Sequence, residues 1–171
     1  MDQTTKDLIY LVGCAVNGTV PDHVEQMDPD GIYQTAARHL LSAAVSFALQ
    51  RAGVKDERIT ASIAKSQKKA VILEAEKTAL FRRFEEAHIR YMPLKGAVLK
   101  DYYPEFGMRE MADYDILIDA ERAADVREIM ESLGFATERY DTSATTMCIS
   151  KSRSRILRSI VHSLAFFTGI S

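Results

Sequence analysis

The sequence predicts an α+β protein: a helical N-terminal part over residues 1–88, followed by a small mixed β-sheet flanked by helices over 89–142. Two observations carry this. Through residue 88, apolar residues recur at three- and four-residue intervals, the period of a helix buried on one side. Beyond His88 the pattern shortens to brief apolar runs parted by glycine and proline, as in strands joined by helices and turns. The tail, 143–171, fits neither pattern and is expected to be aberrant or poorly ordered, leaving the fold incomplete at its C-terminus.

In order, Leu8, Leu11, Val12 and Ala15 make a first apolar stripe, ended by Gly18 and Pro21. Asp28-Pro29-Asp30-Gly31 is turn chemistry and a good helix start. Tyr33, Ala36, Ala37, Leu40, Leu41, Ala44, Val45 and Phe47 then predict one helix from Ile32 through Gln50, capped by Gly53. A longer helix is expected from about Arg58 to His88, with Ile63, Ala70, Leu73, Leu80, Phe81 and Phe84 inward. Ile89–Leu94 reads as a strand, Gly96–Tyr103 as a helix, and 103–111 as a loop holding Pro104 and Gly107. Asp113–Ile118 reads as a second strand, Ala120–Leu133 as a helix broken by Gly134, and Phe135–Tyr140 as a third strand. The tail gains a helical period only at its apolar end, through Ile156, Ile160 and Leu164.

Composition bounds the function. With 47% apolar and 27% charged residues, the 171-residue chain is that of an ordinary globular protein. A net charge of −2 supplies no global basic field for nucleic acid. Cys14 and Cys148 make no zinc spacing and no disulfide framework. No basic leader opens the chain and no apolar run reaches membrane-spanning length, so a cytoplasmic protein with no membrane partner is expected.

The chemistry concentrates between Leu94 and Asp119. On a strand, Asp113 and Asp115 share a face and Tyr114 takes the other. Two carboxylates so close repel each other unless a cation lies between them. Mg²⁺, which prefers carboxylate and phosphate oxygens, suits such a pair. Upstream, a strand opens through Lys95-Gly96 into a helix, whose backbone N–H groups and dipole favour phosphate. Gly96 lets a ligand approach the backbone. Lys95 offers a point charge and Arg109 a two-pronged fork, although each could equally form a salt bridge or stand exposed. Phe106, Met108 and Met111 read as packing residues, and His39 and His88 carry no role.

The string LKG–x₆–YY–x₅–R–x₃–DYDILI resembles the uncharacterised nucleotidyltransferase family within the DNA polymerase beta-like superfamily. The resemblance is specific over about Tyr91–Phe135 and looser over the helical part. It implies a nucleotidyltransferase-like core with Mg²⁺ held by Asp113 and Asp115, which are then both catalytic and metal residues. It also implies transfer of a nucleoside monophosphate from a nucleoside triphosphate to a hydroxyl, releasing pyrophosphate. Lys95 and Gly96 would stand where most superfamily members place Gly-Ser or Gly-Gly against the triphosphate, and Arg109 would contact phosphate. The base donated and the acceptor are not specified.

One part of the pattern is missing. The superfamily carries a third carboxylate on a later strand, within a segment like N-F-E-I-H-R, yet here Asp141 is the last acidic residue. Read across codon boundaries from the third base of Arg155, the stretch through Val161 permits Asn, Phe, Glu, Ile, His and Arg in turn. The expectation is therefore a frameshifted, truncated end beyond about Ser143, leaving two of three carboxylates and little turnover. Two other readings use the same residues. The D-x-D could cap a turn in a non-catalytic helical interaction module. Alternatively Lys65, Lys68, Lys69, Arg82 and Arg83 could bind nucleic acid, although a solvated helix face is the simpler account.

Overall fold

The computed structural model describes residues 1–111, 115–140, 146–151 and 154–163. They form two compact units, one comprising 1–72 with 100–111, the other 73–99 with 112–171. The architecture is α+β, as the sequence predicts, and the boundary between units falls inside one long helix. Among the described residues no helix is long and apolar enough to cross a membrane.

The helical unit holds α1 (Gln3–Asn17), α2 (Pro29–Arg38), α3 (Ser42–Arg51) and the first part of α4 (Glu57–Glu86). Asp2 caps α1 by accepting from the Thr5 N–H, and Asp28 caps α2 by accepting from the Asp30 N–H. Leu8, Leu11, Ile32, Ala36, Val45, Phe47, Ile59 and Ile63 bury one another in its core. Met108, from the 100–111 loop, joins that core, while the Ser66 hydroxyl donates to the Gly107 carbonyl at 2.6 Å. Gly107 has φ 81°, and a Cβ there would lie 3.0 Å from the Gln67 Cα, so this turn requires glycine. Met111 is buried as well, and Phe106 is exposed.

The single helix expected over 32–50 is two. After α2, Leu40 takes φ 56°, the Leu41 N–H reaches the Ala36 carbonyl at 2.9 Å, and the Leu40 N–H turns to Ala37. This is the left-handed terminator that closes α1 at Gly18 and α3 at Gly53, where Thr19 reaches Cys14 and Val54 reaches Leu49. At Leu40 the same geometry is built on a residue with a side chain, so the apolar period runs on through the break. His88, φ 52°, ends α4 in the same way, with the Ile89 N–H on the Phe84 carbonyl at 2.8 Å.

The sheet unit contains a five-stranded mixed sheet of order β1-β2-β5-β4-β3. Its strands are β1 (Tyr91–Leu94), β2 (Asp115–Ile118), β3 (Phe135–Tyr140), β4 (Thr146–Lys151) and β5 (Ser154–Ser163). Pro93 is tolerated because β1 is an edge strand. β1 and β2 run antiparallel, with Tyr91 opposite Ile118 and Leu94 opposite Asp115. β2 and β5 run parallel, with Ile116 beside Val161 and Ile118 beside Ser163. Ile116, Leu117 and Ile118 are buried in succession, as expected of a strand covered on both faces. Phe84 of α4 packs its ring 5.6 Å from that of Tyr91, and Phe81 lies at 4.4 Å.

Two expected elements are shorter. The helix expected over 96–103 is one α turn, α5 (Gly96–Leu99), followed by a 3-10 turn over Lys100–Tyr102. The helix expected over 120–133 opens with a 3-10 turn, Ala120–Arg122, before α6 (Ala123–Ser132). In the tail, where no strand was expected, 146–151 and 154–163 are strands paired antiparallel. Their residues show no clean alternation, and the pairing is made by partners distant in sequence rather than by a local period.

Candidate functional site

Antiparallel pairing of β1 with β2 sets Leu94 across from Asp115, so the residue after Leu94 emerges beside the aspartate. That residue, Lys95, has φ 45°, left-handed backbone that side-chain-bearing residues seldom adopt. Its carbonyl accepts from the N–H groups of Val98 (3.1 Å) and Leu99 (2.9 Å), opening α5 directly at Gly96. The chain thus turns from strand to helix in one residue. A four-residue helix develops little macrodipole, so the dipole expected at Gly96 is reduced to the N–H groups of one turn.

The Lys95 ammonium lies 2.8 Å from Asp115 Oδ2. The two side chains differ in exposure, 68% for the lysine and 11% for the aspartate. Asp115 Oδ1 is buried and has no hydrogen-bond partner among the described residues. A buried carboxylate oxygen left without a partner costs about 1–3 kcal/mol. It also presents the oxygen chemistry that a hard divalent cation takes, so this carboxylate fits a Mg²⁺ ligand. Among the described residues no three His, Cys, Asp or Glu side chains gather into a metal cluster. The other predicted metal ligand, Asp113, lies outside the described residues.

The far end of β2 is fastened differently. Arg90 reaches Asp119 Oδ2 at 2.7 Å, and this guanidinium holds the Asp119 carboxyl below the usual carboxylate range. Tyr91 donates its hydroxyl to Glu85 at 3.0 Å, while burial, then that carboxylate, push its ionisation up. These contacts fix the strands without leaving a charge unpaired.

Arg109 belongs to the helical unit. Its guanidinium stacks 5.8 Å from the Tyr103 ring centroid, and its Nε is buried without a partner among the described residues. A separate cleft of about 370 Å³ in that unit is lined by Val24, Met27, Ile32, Tyr33, Val54 and Arg58 and holds none of the predicted site residues. On α4, Lys77 pairs with Glu74 at 2.6 Å and Arg82 with Glu86 at 2.9 Å, the ion-pair lacing of a solvated face.

A family model described as an uncharacterised nucleotidyltransferase matches residues 25–159. The chain belongs to that family. No curated protein and no solved structure matches it. The family match takes in β1, the Lys95-Gly96 turn, Arg109 and the Asp-bearing strand, and it continues past Ser143 into β5. This nucleotidyltransferase-family chain carries Asp115 on β2, the strand beside β5, and the sequence of β5 contains no acid from Ser154 to Ser163. One step before the Ile116–Val161 pair stand Asp115 and Ile160.

Sequence reasoning found the carboxylate strand and the lysine–glycine turn but left the partner of Lys95 open. The available signal was the position of Lys95 directly before Gly96, at the end of the strand paired with the acidic one.

Proposed function

We propose that the sheet unit binds Mg²⁺ and a nucleoside triphosphate at Asp113 and Asp115 beside Lys95 and Gly96. The reaction class is transfer of a nucleoside monophosphate to a hydroxyl acceptor. The observation that carries this is the buried, unpartnered Oδ1 of Asp115 next to a cationic side chain on a strand-to-helix turn. In that reaction the acceptor oxygen bonds to the α-phosphorus, the α–β bridging bond breaks, and pyrophosphate leaves. Mg²⁺ held by these carboxylates would supply positive charge to offset the phosphate charge that develops in the transfer. Asp115 holds its oxygens rigidly because β2 is buried on both faces and paired on both edges. Lys95 supplies positive charge at the mouth of the site, and Gly96 leaves the backbone open to phosphate. Arg109, with its unpartnered Nε, is a separate candidate anion contact in its own unit.

Removing the acceptor's proton requires a third carboxylate, which β5 lacks, so this chain binds nucleotide but turns it over slowly or not at all. A change of reading frame near Ser143 accounts for that loss. Sequencing the coding DNA tests it: third bases that spell no Glu across Leu157–Arg158 overturn the account. The proposed setting is the cytoplasm, with a nucleoside triphosphate as partner, no membrane partner, and nucleic acid not favoured.

The functional test is a thermal-shift panel of the four common nucleoside triphosphates with Mg²⁺. Stabilisation by at least one, lost in chelator and in Asp115→Ala, is the expected result. No shift with any of the four, on a folded chain, defeats the reading.

A further inference from the structure

The strand that leads into the candidate site is apolar up to the turn. Met92, Pro93 and Leu94 precede Lys95-Gly96, and none of the three has a hydrogen-bonding side chain. Strand register settles which of them share a face with the carboxylate. Residues directly opposite in an antiparallel pair lie on one face, so Leu94 lies on the face of Asp115, and Met92, opposite Leu117, lies there too. Tyr91 and Pro93 take the other face, where Phe81 and Phe84 pack against the Tyr91 ring and Ile116 and Ile118 are buried. The Asp115 face is open at the strand edge: Leu117 is buried, but Met92 is 47% exposed. Just past the turn, Val98 and Leu99 are exposed as well, at 44% and 49%. One exposed methionine is ordinary. Three exposed apolar residues within 92–99, bracketing the glycine turn of a candidate site, are the kind of surface that marks a ligand groove.

We propose that Met92, with Leu94 beside it, is the shelf on which the base of the donor nucleotide lies. The inference rests on reading Asp115 as the metal ligand and Gly96 as the approach for phosphate, and it extends that reading to the base. The order of residues along β1 supplies the argument. Phosphate at residue 96 and metal opposite residue 94 set the direction of the triphosphate. The α-phosphate then lies at the metal, and sugar and base continue toward residue 92. Met92 stands two residues back from Leu94, about 7 Å along the strand, one sugar's reach from that phosphate. Its thioether is polarisable and packs favourably on aromatic rings. A shelf whose side chains neither donate nor accept reads ring area rather than base edges, so it favours purines over pyrimidines and does not separate adenine from guanine. The substrate class is the purine nucleoside triphosphates.

The test is isothermal titration calorimetry of the full chain with the Mg²⁺ complexes of ATP, GTP, CTP, UTP and inorganic tripolyphosphate, the last having no base. ATP and GTP are expected to bind equally, and about fivefold more tightly than CTP and UTP, within the range of a sulfur–aromatic contact. Met92→Thr keeps a residue suited to strands. It is expected to weaken ATP and GTP about fivefold while leaving tripolyphosphate unchanged. Met92→Leu keeps the apolar area and is expected to retain the purine preference. If the four nucleotides and tripolyphosphate bind alike while Asp115→Ala abolishes all binding, the shelf is wrong and the metal site stands. Equal losses for ATP and tripolyphosphate in Met92→Thr also overturn it, because the residue then only supports the strand. So does a preference for ATP over GTP, or for pyrimidines. If the folded wild type binds none of these ligands, both the site and the shelf fall.

Discussion

The helical unit and the sheet unit each contain an ion pair built on an aspartate, and the two pairs are satisfied in opposite ways. In the helical unit Arg58 reaches Asp30 and Asp56, both at 2.6 Å, and its guanidinium lies 4.7 Å from the Tyr33 ring centroid. The guanidinium holds the Asp56 carboxyl below its usual range, and the two carboxylates push the arginine up in return. Every charge there has an opposite one within reach, so the network fastens α4 to α2 and to the turn before it. In the sheet unit Asp115, nearly buried, has the Lys95 ammonium on one oxygen and, among the described residues, no hydrogen-bond partner on the other. Among the described residues the helical unit also leaves buried atoms unpartnered, the neutral Tyr33 and Ser46 hydroxyls and the Nε of Arg109, whose guanidinium is stacked on Tyr103. A saturated pair holds structure together; the half-satisfied buried acid is where we propose that a ligand binds.

The sharpest way to break this comparison is Asp115→Ala. Wild type with Mg²⁺ and nucleotide at about a hundred times Kd should gain about 2.7 kcal/mol, or roughly 5–10 °C in Tm. The variant should gain nothing by calorimetry. A full gain in Asp115→Ala would make the two aspartate pairs equivalent and end the distinction. For the stability of the unliganded chain the largest change is expected from Phe84→Ala. It removes a fully buried ring packed against Tyr91 of β1 and should cost about 3–5 kcal/mol in urea unfolding.

The left-handed residues sharpen the contrast further. Leu40 is exposed and has no charge to place, so Leu40→Gly should stabilise the protein by about 0.5–1 kcal/mol and leave nucleotide binding as it was. Lys95→Gly relieves the same kind of strain yet should alter ligand binding. If both substitutions behave alike, Lys95 is only a strained turn residue.

The smallest effect concerns pH. Asp56 and Asp119 have folded-state ionisations held below their ordinary values by Arg58 and Arg90. Their contribution is therefore present above the ordinary carboxylate range, near 4, and is lost as pH falls through the lower folded value. Tm should drop as pH falls below about 4, and Arg90→Gln should shrink the Asp119 share of that drop. An unchanged pH profile in Arg90→Gln would mean that pair contributes nothing.

Much of the local structure was legible in the sequence. Gly18 and Gly53 stand where the first and third helices end, and of the row expected inward on α4, Ile63, Leu73, Leu80 and Phe84 are buried while Ala70 and Phe81 are half-buried. Leu40 and His88 perform the same termination as the glycines but are disguised by their side chains, and so the break between α2 and α3 was missed. The strands β4 and β5 were missed because their alternation is poor and their partners lie far along the chain. The candidate site was half legible. The acidic strand and the lysine–glycine turn could be read, but the contact between Lys95 and Asp115 could not.

The sequence alone determined which segments coil, which extend, and that an acidic strand follows a lysine–glycine turn, because helical period, strand alternation and glycine's φ freedom act over a few neighbouring residues. Tertiary structure decided that Lys95 faces Asp115 and that β5 lies beside β2. Those relations come from strand register, and register is set by the packing of the whole sheet unit, since slipping a strand by one residue would move its buried side chains to the other face.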